Sequence, residues 1–185
     1  ALADRDSFSL LPRKTDARRA CGMVCKSLFL DGTLDCNAEY LNIFRETEDA
    51  LDAQTELYQI SDFSRFLLRT VDADALAVRR KRNYVRLKDA LAQLGVSPIC
   101  RLAEDACPLV LPVWVKDRDA LRCRLMEHRI YCAVHWPFDG VQADERPLAR
   151  KLAAQMLSLP IDQRYDTAHI DYLMDTLDTC KGLLL

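Results

Sequence analysis

The side chains in this sequence most able to do chemistry are its cysteines, two histidines near one of them, and a basic cluster close to the amino terminus. Eight cysteines occur, at Cys21, Cys25, Cys36, Cys100, Cys107, Cys123, Cys132 and Cys180. They form no Cys-x-x-Cys pair and no two-plus-two grouping. A zinc centre needs ligands gathered on short turns, so no metal is expected from this spacing. Cys132 in IYCAVHW and Cys107 ahead of PLVLPVWV lie in apolar runs, where a thiol behaves as a small hydrophobe. With no secretory signal in view, mostly buried, reduced thiols in a cytoplasmic protein are expected. The lack of Cys-x-x-Cys also weakens a thiol-redox role.

His128, Cys132 and His135 fall within eight residues and invite a ligand reading. On an extended strand, however, Cys132 and His135 point to opposite faces and cannot share an ion. His135 is therefore either a histidine packed at a strand end or one turned toward a ligand. Lys14 stands among Arg13, Arg18 and Arg19, and taken alone it reads as a surface lysine. The tract Arg79–Arg82 (RRKR) suggests nucleic acid, but acidic neighbours make a solvated helix face the simpler reading.

Helical periodicity begins at Asn37, where NAEYLNIFRETEDALD sets Tyr40, Phe44 and Leu51 on one face. A loop at 58–61 leads into a short helix, DFSRFLLR. The strongest helix spans Asp72–Leu94, with Leu76, Tyr84, Leu87, Leu91 and Leu94 at steps of three and four and Gly95 as its stop. Beyond Pro98 the period shortens. Leu109–Val115 predicts a strand, with Pro112 implying an edge or a bulge. Asp117 caps a helix, Ile130–Val134 predicts a second strand, and 139–142 a turn. ERPLARKLAAQM predicts a helix, LSLPI a third strand, and Asp166 or Thr167 opens the last helix through Leu177. CGMVCKSLFL, by contrast, predicts a strand or loop, in a segment that cannot bury itself.

The pattern describes an α/β (α+β) chain whose carboxy-terminal part is a short three-stranded sheet covered by helices. The 185 residues suffice for a core, and 26 Lys+Arg against 28 Asp+Glu lack the basic excess of a nucleic-acid binder. No apolar run reaches membrane-spanning length. With 50% hydrophobic residues the chain is not disordered.

Three segments resemble aminotransferases of the DegT/DnrJ/EryC1/StrS class, fold-type I enzymes that use pyridoxal 5'-phosphate. SLLPRK with Gly22 is similar to their lysine segment, in which a serine helps hold the cofactor phosphate and a Gly-Gly pair follows the lysine. The matching positions are Ser9, Lys14, Cys21 and Gly22, with cysteine replacing one glycine. RRKRNYVRLKDAL resembles the long helix leading into the small domain. CPLVLPVWVKDRDALRCRLMEHRIYCAVHWPF and LSLPIDQRYDTAHIDYLMDTL resemble the small domain itself, in which the histidine corresponding to His135 lies near the substrate.

The resemblance implies a remnant of the large cofactor-binding domain at 1–36, a helical linker at 37–71 and the small domain at 72–185. It makes Lys14 the covalent anchor of pyridoxal phosphate and later the base for the substrate's α-proton, a role that needs a lowered pKa. Ser9 becomes a phosphate contact and His135 a substrate-side residue. The activity implied is transfer of an amino group from an amino acid to a keto or aldehyde acceptor, such as a nucleotide-linked keto sugar, by a homodimer. The carboxylate that pairs with the pyridine nitrogen precedes the lysine in that family and is not in this sequence. This chain, which also lacks an initial methionine, is therefore expected to be an inactive carboxy-terminal fragment, with residues 1–36 rearranged, poorly ordered or paired with another chain. The alternative is a non-catalytic interaction domain with Phe8, Phe29 and Phe63 as its patch.

Overall fold

The computed structural model describes residues 11–12, 16–135 and 147–184, and the chain divides into two compact units, 1–71 and 72–185. Among the described residues no helix is long and apolar enough to cross a membrane.

In the first unit, β1 (Leu11–Pro12) pairs in parallel with β2 (Tyr58–Gln59). Between them run α1 (Asp16–Leu30) and α2 (Asn37–Asp52). CGMVCKSLFL is therefore helix, not the strand or loop its composition suggested. The physical reason is a partner: α1 runs antiparallel to α2, so a face with no obvious period finds a surface to bury against. Phe29 lies 5.7 Å from Tyr40, ring centre to ring centre, and Tyr40 5.8 Å edge-on from Phe44. Such pairs add about 0.5–1.5 kcal/mol to simple burial. At the other end Arg18 meets Glu46 at 2.7 Å and Arg19 meets Glu48 at 2.5 Å. These surface pairs orient the helices more than they stabilise them. Tyr40 and Ile43 are buried, whereas Leu51, expected on the same face, is 42% exposed. The unit ends in α3 (Asp62–Thr70), begun by Ser61, whose hydroxyl accepts from the Ser64 amide at 3.1 Å.

The second unit opens with α4 (Ala73–Gln93), where Asp72 accepts from the Ala75 amide at 2.9 Å. It closes in a Schellman turn: Val96 N–H reaches Leu91 O at 2.9 Å, Gly95 N–H reaches Ala92 O at 3.1 Å, and Gly95 takes φ +76°. A side chain there would be strained, so the glycine sets the stop. β3 (Val110–Trp114) pairs antiparallel with β4 (Met156–Pro160), Leu111 opposite Leu159 and Val113 opposite Leu157. The expected strand Ile130–Val134 is reduced to one bridge, Ala133 to Ser158, and Pro98 bridges Val113. The described sheet thus has two strands with single-bridge flanks instead of three. Pro112 is tolerated because its carbonyl, which accepts from the Ile99 amide at 2.9 Å, faces away from β4, so the N–H that proline lacks falls on the flank of the sheet and costs the β3–β4 ladder no bond.

Asp117 caps α5 (Arg118–Glu127) through the Ala120 amide at 3.0 Å. That helix ends in a second Schellman turn with Arg129 at φ +58°, an uncommon conformation outside glycine. α6 (Pro147–Gln155) runs straight into β4, and Asp166 caps α7 (Thr167–Thr179) by accepting from the His169 amide at 3.1 Å. A 3-10 turn follows at Lys181–Leu183. The turn expected at 139–142 lies outside the described residues. Leu87, Leu91, Leu111, Val113, Leu121, Leu125, Leu157, Leu159, Ile170 and Leu177 form the core, none more than 1% exposed. Each such leucine contributes about 2 kcal/mol by removal from water.

Candidate functional site

Of the three residues singled out by sequence, one is described. Ser9 and Lys14 lie outside the described residues. His135 is half-buried and follows directly on the Ala133–Ser158 bridge. The reversal at Arg129 delivers this segment. Ile130 N–H is held by Leu125 O at 2.9 Å, and the Arg122 guanidinium donates to Cys132 O at 3.3 Å. Cys132 is 4% exposed, and burial pushes its thiol up to about 12, so it remains a neutral packing group. His128 turns instead to α7, where the Tyr172 hydroxyl lies 3.4 Å from its Nδ1. No three His, Cys, Asp or Glu side chains among the described residues group as metal ligands.

The basic tract has a structural task that composition did not reveal. Arg79 donates to Tyr165 O at 3.3 Å, Arg80 to Gln163 Oε1 at 2.8 Å and Lys81 to Glu104 O at 2.7 Å. Asn83, 1% exposed, directs its amide to the carbonyls of Ile161 (3.2 Å), Asp162 (3.2 Å) and Tyr165 (2.9 Å). The loop so gripped carries its own buried carboxylate, Asp162, which accepts from the Arg164 guanidinium at 2.8 Å through both Nε and Nη2. Burial pushes the Asp162 carboxyl up, but the paired guanidinium and the Arg164 amide outweigh it and hold the group below the ordinary carboxylate range. Arg164 is correspondingly raised by the same hydrogen bond. Arg79, Arg80 and Asn83 thus clamp α4 to the strand-to-helix loop before α7 while Lys81 ties it to Glu104, so the run is not simply a solvated face. A groove of about 1030 Å³ runs along α4 and α7, lined by Arg82, Arg86, Asp89, Met174 and Asp178 among others. His135 is not part of its lining, so the cavity and the candidate residue do not coincide.

The stretch that follows Lys14 bears on whether it could hold a cofactor. The resemblance places a glycine turn at Cys21–Gly22, yet both residues lie inside α1. Gly22 is there for packing: a Cβ at this position would stand 2.8 Å from Ile43 Cγ2 and 2.9 Å from Phe44 Cε1. Only a glycine lets α1 and α2 approach this closely. Within the described residues this stretch is helix, and the packing of α1 on α2 accounts for the glycine.

The cysteines divide differently from expectation. Cys36, Cys132 and Cys180 are buried, whereas Cys21, Cys100, Cys107 and Cys123 are exposed, and all eight are free thiols.

No protein-family profile matches the sequence, and no curated protein matches it. Solved structures do match its fold. DesV from S. venezuelae aligns with a TM-score of 0.58 at 20% identity, over 71% of this chain and 40% of its own. A DegT DnrJ EryC1 StrS aminotransferase from Brucella abortus gives 0.55 at 16%, over 71% and 40%. Spr1654 from Streptococcus pneumoniae, described as a sugar aminotransferase and solved in its PLP form, gives 0.56 at 19%, over 69% and 38%. The chain spans about two fifths of the length of these proteins. Over some 70% of its residues its fold is similar to the carboxy-terminal part of DegT/DnrJ/EryC1/StrS aminotransferases.

Proposed function

We propose that this chain is the carboxy-terminal portion of a pyridoxal-phosphate-dependent aminotransferase. The observation that carries the reading is the fold likeness over about 70% of the chain to that class. In the whole protein the reaction is transfer of an amino group from an amino acid to a keto or aldehyde acceptor. The similar structure from Streptococcus pneumoniae is described as a sugar aminotransferase, which makes a nucleotide-linked keto sugar the acceptor to test first. The whole protein is proposed to be a cytoplasmic homodimer.

Bound pyridoxal phosphate would supply the electron sink for loss of the α-proton. Within the described residues, what this chain contributes is the small domain, held to α4 by Asn83 and presenting His135 as a substrate-side hydrogen-bonding group. Assignment of Ser9 and Lys14 to the cofactor rests on the resemblance alone, and both lie outside the described residues. We propose Lys14 as the covalent anchor and Ser9 as a phosphate contact in the whole protein, and read the 185 residues as inactive by themselves.

Borohydride reduction followed by peptide mapping tests both statements. The full-length protein is expected to gain a pyridoxyl group on the Lys14 peptide, and the 185-residue chain to gain none. A pyridoxyl group on a different lysine alone would remove Lys14 as the anchor. No incorporation anywhere in the full-length protein would overturn the aminotransferase reading.

The alternative, an interaction domain, has one observation in its favour. Phe63, Phe66 and Leu68 of α3 are 50%, 63% and 66% exposed. Of its three expected patch residues, Phe8 lies outside the described residues and Phe29 is taken up by Tyr40. A cofactor-free full-length protein that still bound a partner through α3 would favour this reading.

A further inference from the structure

Three cysteines that are scattered in the sequence meet in the first unit. Cys21 and Cys25 lie one turn apart on α1, and Cys36 stands at the N-cap of α2. The Cys36 thiol donates to the Cys25 carbonyl at 3.0 Å and approaches the Leu34 carbonyl at 3.6 Å. It therefore points back into α1 instead of capping its own helix, where it makes no side-chain hydrogen bond. Burial, and after it the neighbouring Cys21 and Cys36 thiols, push the Cys25 thiol up. Exposure is graded across the cluster: Cys21 exposed, Cys25 half-buried and Cys36 5% exposed. Among the described residues the three do not converge as a metal-ligand set.

We propose that Cys25 and Cys36 form a reversible disulfide that fastens α1 to the start of α2. Geometry selects this pair over Cys21–Cys25. Residues four apart on a helix hold their Cβ atoms about 5–6 Å apart on parallel bonds, whereas a disulfide needs about 3.5–4.5 Å and a crossed arrangement. Cys36 approaches from a different element, so its Cβ is free of that constraint. The oxidant is a peroxide. One sulfur of the pair, as its thiolate, displaces hydroxide from hydrogen peroxide, which takes up the thiol's proton and leaves as water, and becomes a sulfenic acid. The other sulfur then attacks it, forming S–S and breaking S–O, and the hydroxyl leaves as water with the second thiol's proton. Two electrons pass from the two thiols to the peroxide O–O bond. A thiol reductant returns the pair to its starting state. This site stands apart from the aminotransferase reading and survives its failure.

Trypsin separates the possibilities cleanly, since Lys26 lies between Cys25 and Cys36. Residues 20–26 carry Cys21 and Cys25, and residues 27–45 carry Cys36. After brief treatment with dilute hydrogen peroxide and blocking of free thiols, peptides 20–26 and 27–45 are expected to be linked within one chain. The link should vanish on addition of a dithiol reductant. In Cys36→Ser the hydroxyl can still donate to the Cys25 carbonyl, so the helical circular dichroism should persist while the linked pair disappears. Should that variant fail to fold, phenylarsine oxide, which bridges close thiols, provides a second readout. It is expected to protect Cys25 and Cys36 of the unaltered chain from alkylation. A disulfide confined to peptide 20–26, or peroxide consumed at Cys100, Cys107 and Cys123 with peptides 20–26 and 27–45 unlinked, would overturn the proposal.

Discussion

Replacing Asn83 tests how the second unit is held together. Its amide donates toward three main-chain carbonyls, at 3.2, 3.2 and 2.9 Å, from a position 1% exposed. An amide nitrogen has two hydrogens, so two bonds' worth of energy is shared among three acceptors. Asn83→Ala removes both donors and leaves the carbonyls of Ile161, Asp162 and Tyr165 facing a small void. At about 1 kcal/mol per lost bond, with a further penalty for acceptors left dry, the expected loss is about 2–4 kcal/mol. Asn83→Asp keeps the shape but turns an acceptor toward three acceptors. It must either bury a charge or protonate, and a stability loss larger than that of the alanine variant is expected. Trp114 and Trp136 both belong to residues 72–185, so tryptophan fluorescence during urea unfolding reports this unit selectively. The order expected is wild type, then Asn83→Ala, then Asn83→Asp. An alanine variant within about 0.5 kcal/mol of wild type, the range of an ordinary surface change, would refute the clamp. So would an aspartate variant at least as stable as the alanine one.

Two further perturbations probe other joints. Gly22→Ala places a methyl carbon 2.8 Å from Ile43 and 2.9 Å from Phe44. It should destabilise the α1–α2 hairpin by about 1–3 kcal/mol despite alanine's better helix propensity, read as earlier loss of helical circular dichroism on heating; a stabilised variant would show that the helices part at no cost. Asp162 titrates below the ordinary carboxylate value when folded, so the unfolded chain takes up its proton first as pH falls. The stabilisation is present above about pH 4 and is lost as acid approaches the lower folded value. Acid unfolding of the second unit should therefore lose part of its pH dependence in Asp162→Asn, and an unchanged profile would mean that the Arg164 pair contributes nothing.

Local chemistry made much of the architecture legible. The helix starts at Asp117 and Asp166, the stop at Gly95 and the apolar spacing of α4 are short-range signals, and the structure uses each of them where they stand. The strand at Val110–Trp114 and the strand at Met156–Pro160 were visible in the same way, as short β-rich runs between turn residues. What depended on a distant partner was not. α1 carries no clean period of its own and becomes a helix against α2, around a glycine whose purpose is the 2.8 Å approach of Ile43. Ile130–Val134 has strand composition, yet the hydrogen-bond partners available to it make one bridge. The role of Asn83 needs a loop some eighty positions later, and nothing in RRKRN announces it. The Cys25–Cys36 contact likewise arises because the hairpin folds back, since a spacing of that kind matches no thiol motif. Side-chain period and capping chemistry are written in neighbouring residues, so the sequence alone determined them; which surfaces meet depends on the closed chain, so only the tertiary structure decided the clamp, the helix crossing and the thiol cluster.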